Sequence, residues 1–248
     1  MSSDSQWVAL AARVRRGSAR AREDATGRIP RRPAGMVDLP LSYGQEQLWF
    51  IDGFAPGLAT YNIPHAVRLS GPLDVGALRR AVDGLVARHE ALRTRLVTDA
   101  GGRPVQVIDP PGRARVEVVD FSGFEPGPRR ARLGEFIDDM AARPFVLAEG
   151  PLLRNWLVRL AAGEHVLVVV VHHTVFDGWS AGVLVAELAA LYGQEAGGEP
   201  AGLAELPVGR RWRVRSGRGG CSAQRRGPRR SGRPSGSVSA RASAVAGP

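Results

Sequence analysis

A chain of 248 residues, 44% of them apolar, can bury one substantial core or two small ones. It holds no run of about 18 apolar residues, so no membrane-spanning helix is expected; Met1-Ser-Ser-Asp-Ser-Gln also lacks the charged-then-apolar pattern of a signal peptide. The net charge of +10 suggests a nucleic-acid partner only until it is located. Arginines crowd 210–248 without a single acid and outnumber the acids in 1–32, whereas the body, 33–209, has more acids than arginines.

Residues 1–36 read as a leader or linker, partly disordered, rich in Arg, Ala and Ser with Pro30 and Pro33 near its end. The folded part is expected over 37–207. Ser42 is placed to cap a short helix carrying Gln45, Leu48, Trp49 and Ile51. Ile63 to Leu69 alternates as a strand does. Asp74 is placed to cap a helix with the face Val75, Leu78, Val82, Leu85 and Val86, ending near Arg88-His89-Glu90. Leu92–Val97 and Pro104–Ile108, separated by a turn at Ala100-Gly-Gly102, read as a hairpin. Val116–Asp120 is a further strand, and Leu133, Phe136, Ile137 and Met140 mark a helix. Leu152–Leu160 and His165–Val171 read as neighbouring strands. The alternation predicts an α/β or α+β class with a mixed sheet flanked by helices.

The most informative stretch follows. Val166 to Val171 is an unbroken apolar run, as in a strand buried on both faces, and it runs into His172-His173. Asp177-Gly178 then marks a turn, and from Trp179 the apolar period becomes helical. The two histidines therefore sit where a rigid strand gives out beside a helix start. Because strand side chains alternate, one ring should face a site while the other packs behind it. An imidazole there suits a general base. The residues also admit a metal site, since His and Asp both ligate zinc or iron, and a purely structural pair. A Gly-x-Ser-x-Gly elbow and a phosphate-binding glycine loop are both missing. Without a visible covalent nucleophile, base-assisted direct transfer is the natural chemistry.

Residues 208–248 consist mostly of Arg, Gly, Ser, Ala and Pro, a composition that predicts disorder. Three readings compete: a basic tail that binds polyanions, an inert solvated tail, or an out-of-frame translation of GC-rich DNA. The sharp break after a well-patterned helix favours the frameshift. The absence of Lys among 34 basic residues points to GC-rich coding DNA as well. The single cysteine, Cys221, cannot form an internal disulfide and fits a reducing cytoplasm.

His172-His173-Thr-Val-Phe-Asp177-Gly178 resembles the His-His-x-x-x-Asp-Gly motif of condensation domains in nonribosomal peptide synthetases. Two further segments resemble that family in the same order: Leu41-Ser-Tyr-Gly-Gln45-Glu-Gln-Leu-Trp49 and Arg88-His-Glu-Ala-Leu-Arg93-Thr-Arg-Leu. Gly44, Gln47 and Leu96 depart from the usual Ala, Arg and Phe, and Gln47 removes a charge.

The resemblance implies a chloramphenicol acetyltransferase-like fold of two lobes, of which this chain supplies the first and lacks the C-terminal one. It implies amide formation between carrier-protein-bound thioesters. The partners would be peptidyl or acyl carrier proteins and adenylation domains. Their phosphopantetheine arms deliver the substrates, and no cofactor is bound directly. By the motif, His173 would be catalytic, with His172, Asp177 and Gly178 completing the loop and Trp179 and Ser180 beside the substrate. Arg88, Arg93, Ser42 and Gln45 would give structural support, Arg88 as a candidate partner for Asp177. No metal, membrane or nucleic-acid partner is expected, and the location expected is cytoplasmic. Two alternatives stay open: another coenzyme A- or carrier-dependent acyltransferase of the superfamily, or a non-catalytic fragment whose basic tail binds acidic partners.

Overall fold

The computed structural model describes residues 39–198 and 200–206, together with the backbone of 239–241. The leader and nearly all of the arginine-rich tail lie outside the described residues.

The chain builds a five-stranded mixed sheet and a smaller three-stranded one. The elements are β1 (Leu39–Pro40), α1 (Tyr43–Phe54), β2 (Asn62–Ser70), α2 (Val75–Arg88), β3 (Thr94–Thr98), β4 (Pro104–Ile108), β5 (Val116–Asp120), α3 (Pro126–Ala141), β6 (Leu153–Ala161), β7 (Glu164–His172), α4 (Gly178–Gly197) and β8 (Ser239–Arg241). The large sheet runs β5-β6-β7-β2-β8 and the small one β1-β4-β3. Among the described residues only the β5–β6 pair is parallel, and α3 supplies the crossover that a parallel pair requires. Within the stretch expected to be disordered, Ser239–Arg241 pairs along Arg68–Ser70 at the sheet edge.

β7 lies inside the sheet, between β6 and β2, and its valines divide by parity between two cores. Leu167, Val169 and Val171 meet Leu78, Val82 and Leu85 of α2 and Leu184 and Leu188 of α4. Val166, Val168 and Val170 meet Trp156, Met140, Phe145 and Leu96 on the opposite face. A strand covered on both sides has no polar face to keep, hence the unbroken apolar run.

Pro64 sits within β2 without breaking it. The Tyr61 carbonyl accepts from His173 N–H, and Gly71 N–H donates to Gly163. The odd-numbered backbone groups of β2 thus face β7, and Pro64 turns its missing N–H to the outer edge, where the sheet tolerates it.

Two expectations need correction. Glu90–Arg93 is a 3₁₀ turn, so β3 starts at Thr94 and not at Leu92. The alternation of this segment continues through the turn, which is why it reads as strand. Arg88 does not partner Asp177. Its Nε lies 2.9 Å from Glu187 on α4, and the same carboxylate lies 2.7 Å from His89 Nε2. Glu187 is ten residues beyond Asp177, about 15 Å down the helix. This ion pair ties the end of α2 to the middle of α4, away from the histidine loop. Burial would raise the Glu187 carboxyl, but His89 and Arg88 outweigh it and hold the group low.

Candidate functional site

The site grows from the C-terminal end of β7. His172 N–H donates to the Leu152 carbonyl and His173 N–H to that of Tyr61, so the strand end is held from both sides. The chain then turns through Thr174–Phe176 into α4. Asp177 is the helix N-cap. Its Oδ1 accepts from Ser180 N–H at 2.9 Å and from the Ser180 hydroxyl at 2.7 Å. Those bonds hold the Asp177 carboxyl below the usual carboxylate range. Among the described residues no arginine pairs with it.

The two imidazoles have different surroundings. His172 is 4% exposed and sits edge-on to Phe145 and Tyr61. Thr174 N–H donates to its Nδ1 at 3.3 Å, and the Thr174 hydroxyl lies 2.9 Å from the same atom. An Nδ1 that accepts from a backbone N–H cannot carry a proton of its own, so neutral His172 is protonated at Nε2. His173 is exposed, and its Nδ1 lies 2.8 Å from the Phe176 carbonyl. A carbonyl only accepts, so this Nδ1 carries the hydrogen, and the lone pair of the neutral ring lies on Nε2.

Burial, followed by the neighbouring His173, pushes the His172 imidazole down to about 4. In the unfolded chain an imidazole titrates near about 6.5, so between those values the unfolded chain takes up a proton that the folded chain refuses. The stabilisation is fully present above the upper value and is lost as pH falls through the lower one. Folding stability should therefore drop by roughly 3 kcal/mol from near neutrality to about pH 4. Urea midpoints measured across that range check this, and His172→Asn should make the slope shallower, the lowered Asp177 and Glu187 carboxyls keeping their share. His65 and His165, also lowered by burial, contribute in the same direction and remain in the variant.

The opening helix reaches this loop. Gln45 is 3% exposed. Its Oε1 accepts from Ser42 N–H at 3.0 Å, and its Nε2 donates to the Thr174 carbonyl at 3.2 Å. Ser42 and Gln45 form a capping box, so the first and third sequence motifs meet in space. Gly178 opens α4 with free space where a Cβ would stand, and Trp179 is 86% exposed. Arg93 lies elsewhere, bonded to the Asp109 carbonyl and 3.7 Å from Glu90. Thr174, Phe176 and Tyr61 do structural work at the loop that sequence reasoning missed. Thr174 and Phe176 fall on variable positions of the motif, and all three contribute backbone carbonyls, which any residue would supply. Among the described residues no three His, Cys, Asp or Glu side chains gather as a metal site would need, and no helix is long and apolar enough to cross a membrane.

The covered central strand of the sheet thus ends in a buried and an exposed histidine, beside a capped helix. The family model for the condensation domain matches residues 37–210, and the chain belongs to that family. It is 42% identical over 180 residues to the chondramide synthase cmdD of Chondromyces crocatus, covering 72% of this chain and 5% of that protein. It is 39% identical over 180 residues to the phosphinothricin tripeptide synthetase PhsC of Streptomyces viridochromogenes, covering 73% of this chain and 16% of that one. Among solved structures, the first condensation domain of the CDA synthetase superposes with a TM-score of 0.64 at 27% identity, covering 69% of this chain and 44% of that one. The chain thus spans a small part of these relatives and less than half of that solved domain.

Proposed function

We propose that this lobe takes part in amide-bond formation between two carrier-bound thioesters in nonribosomal peptide synthesis. The observation that carries the reading is His173: exposed at a rigid strand end, with Nδ1 committed to the Phe176 carbonyl and Nε2 left to accept a proton. The amine of one substrate attacks the thioester carbonyl of the other. His173 Nε2 takes or steers the proton that the amine loses, the C–N bond forms, the C–S bond breaks, and the departing thiolate is protonated. Such a reaction needs orientation and proton removal but no covalent intermediate on the protein. His172, buried and neutral, holds the loop. Asp177 acts through the start of α4, and the open space at Gly178 leaves room for a substrate beside Trp179 and Ser180. Gln45 braces the loop and Ser42 caps the helix that carries it, while Arg88 and Arg93 support the lobe at a distance.

The substrates would arrive on phosphopantetheine arms of carrier proteins, loaded by adenylation domains, in the cytoplasm. Tyr43 and Phe54 of α1 and Trp179 of α4 stand exposed. Large apolar side chains left in water fit a lobe that meets further protein. In this reading the chain by itself leaves one wall of the site open to solvent. Incubated with two loaded carrier proteins, it should give little or no amide product by mass spectrometry. Robust product from this chain alone would refute the need for a second lobe.

A further inference from the structure

Gln45 stands 129 positions before the residue it contacts, and both halves of its amide are occupied. Oε1 takes the Ser42 N–H that opens α1, and Nε2 holds the carbonyl of Thr174 in the histidine loop. Thr174 in turn puts its hydroxyl and its N–H on His172 Nδ1. The remaining bonds of the turn are internal: Val175 N–H to the His172 carbonyl, and His173 Nδ1 to the Phe176 carbonyl. A helix cap alone would be satisfied by the Ser42 hydroxyl and the Gln45 oxygen. It does not require a buried amide nitrogen aimed at another element. Leaving that nitrogen or the Thr174 carbonyl unpaired in a dry site would be costly.

We propose that Gln45 is a positioning residue for the histidine loop, fixing the Thr174 peptide and through it the orientation of His172 and the strand end that presents His173. The functional meaning rests on the acyl-transfer reading, whereas the test reads the imidazole nitrogens directly.

The chain is labelled with ¹⁵N at histidine, and the ring nitrogens of His172 are observed in the wild type, in Gln45→Met and in Ser42→Ala. The wild type should show one tautomer, protonated at Nε2. Gln45→Met, which keeps the side-chain volume but removes the donor, should give averaged nitrogen shifts for His172 as the loop loses its tie. Ser42→Ala weakens the same helix cap yet leaves both bonds of the Gln45 amide, and it should keep the single tautomer. A folded Gln45→Met protein with the wild-type pattern overturns the proposal, as does equal averaging in Ser42→Ala.

If Gln45→Met does not fold, the wild type decides. Its Gln45 side-chain amide protons should exchange with solvent at least about tenfold more slowly than those of an exposed glutamine and show contacts to Thr174. Free exchange overturns the proposal. Should His173→Ala prove fully active, the acyl-transfer reading falls while the tautomer result stands, so the two failures are distinct.

Discussion

His173→Ala is expected to lower amide formation by about 10²–10⁴-fold, the usual contribution of a positioned general base. The measurement is turnover of two loaded carrier proteins by the complete domain, wild type against variant. The folded state should be almost untouched. The ring is exposed, and its Nδ1 bonds to a backbone carbonyl within the same loop. Surface changes of this kind stay within about 0.5 kcal/mol. His172→Ala should behave differently, because it empties a buried site against Phe145 and Tyr61 and leaves the Thr174 hydroxyl without its partner. It should therefore lose stability and activity together. The contrast separates a ring that meets substrate from one that holds the loop. His173→Ala retaining activity within tenfold of wild type would remove the base from the mechanism.

Leu167→Ala should be among the most damaging single changes to the fold. Leu167 is fully buried at the middle of β7, on the face shared with α2 and α4. β6 and β2 pair on either side of it, through Leu157 and Val67. A strand held on both edges cannot move to fill the space, so the cavity term adds to the lost transfer free energy. The cost should be about 2–5 kcal/mol. Against a typical total of about 5–15 kcal/mol that is a large share. With a urea slope of about 1–3 kcal/mol per molar, the unfolding midpoint should fall by roughly 1–2 M. A midpoint shift below about 0.3 M would mean that this face of β7 is not packed as described.

Much of the local structure was legible because it depends on near neighbours. The apolar faces of α2 and α4, the Asp74 cap at the start of α2, and the doubly buried β7 follow from spacing and residue type alone. That one ring of the pair is buried and the other exposed was legible too, since alternation along a strand sends successive side chains to opposite faces. The family was readable from three short motifs in order, and the match over residues 37–210 bears it out.

Other features were decided only when distant segments met. The segment before Thr94 alternates like a strand, yet a 3₁₀ turn is what joins α2 to β3. From the sequence, Arg88 is a candidate partner for Asp177. The packing of α2 along α4 gives it Glu187 and leaves Asp177 to cap its own helix. The proton positions on both histidines depend on Thr174 and on the Phe176 carbonyl, and the placement of the loop depends on Gln45, 129 positions away. Chain-local patterns report which face of an element is apolar. They carry no record of which donor a buried carbonyl finds across the fold, and at this loop that pairing ties the Thr174 carbonyl to Gln45.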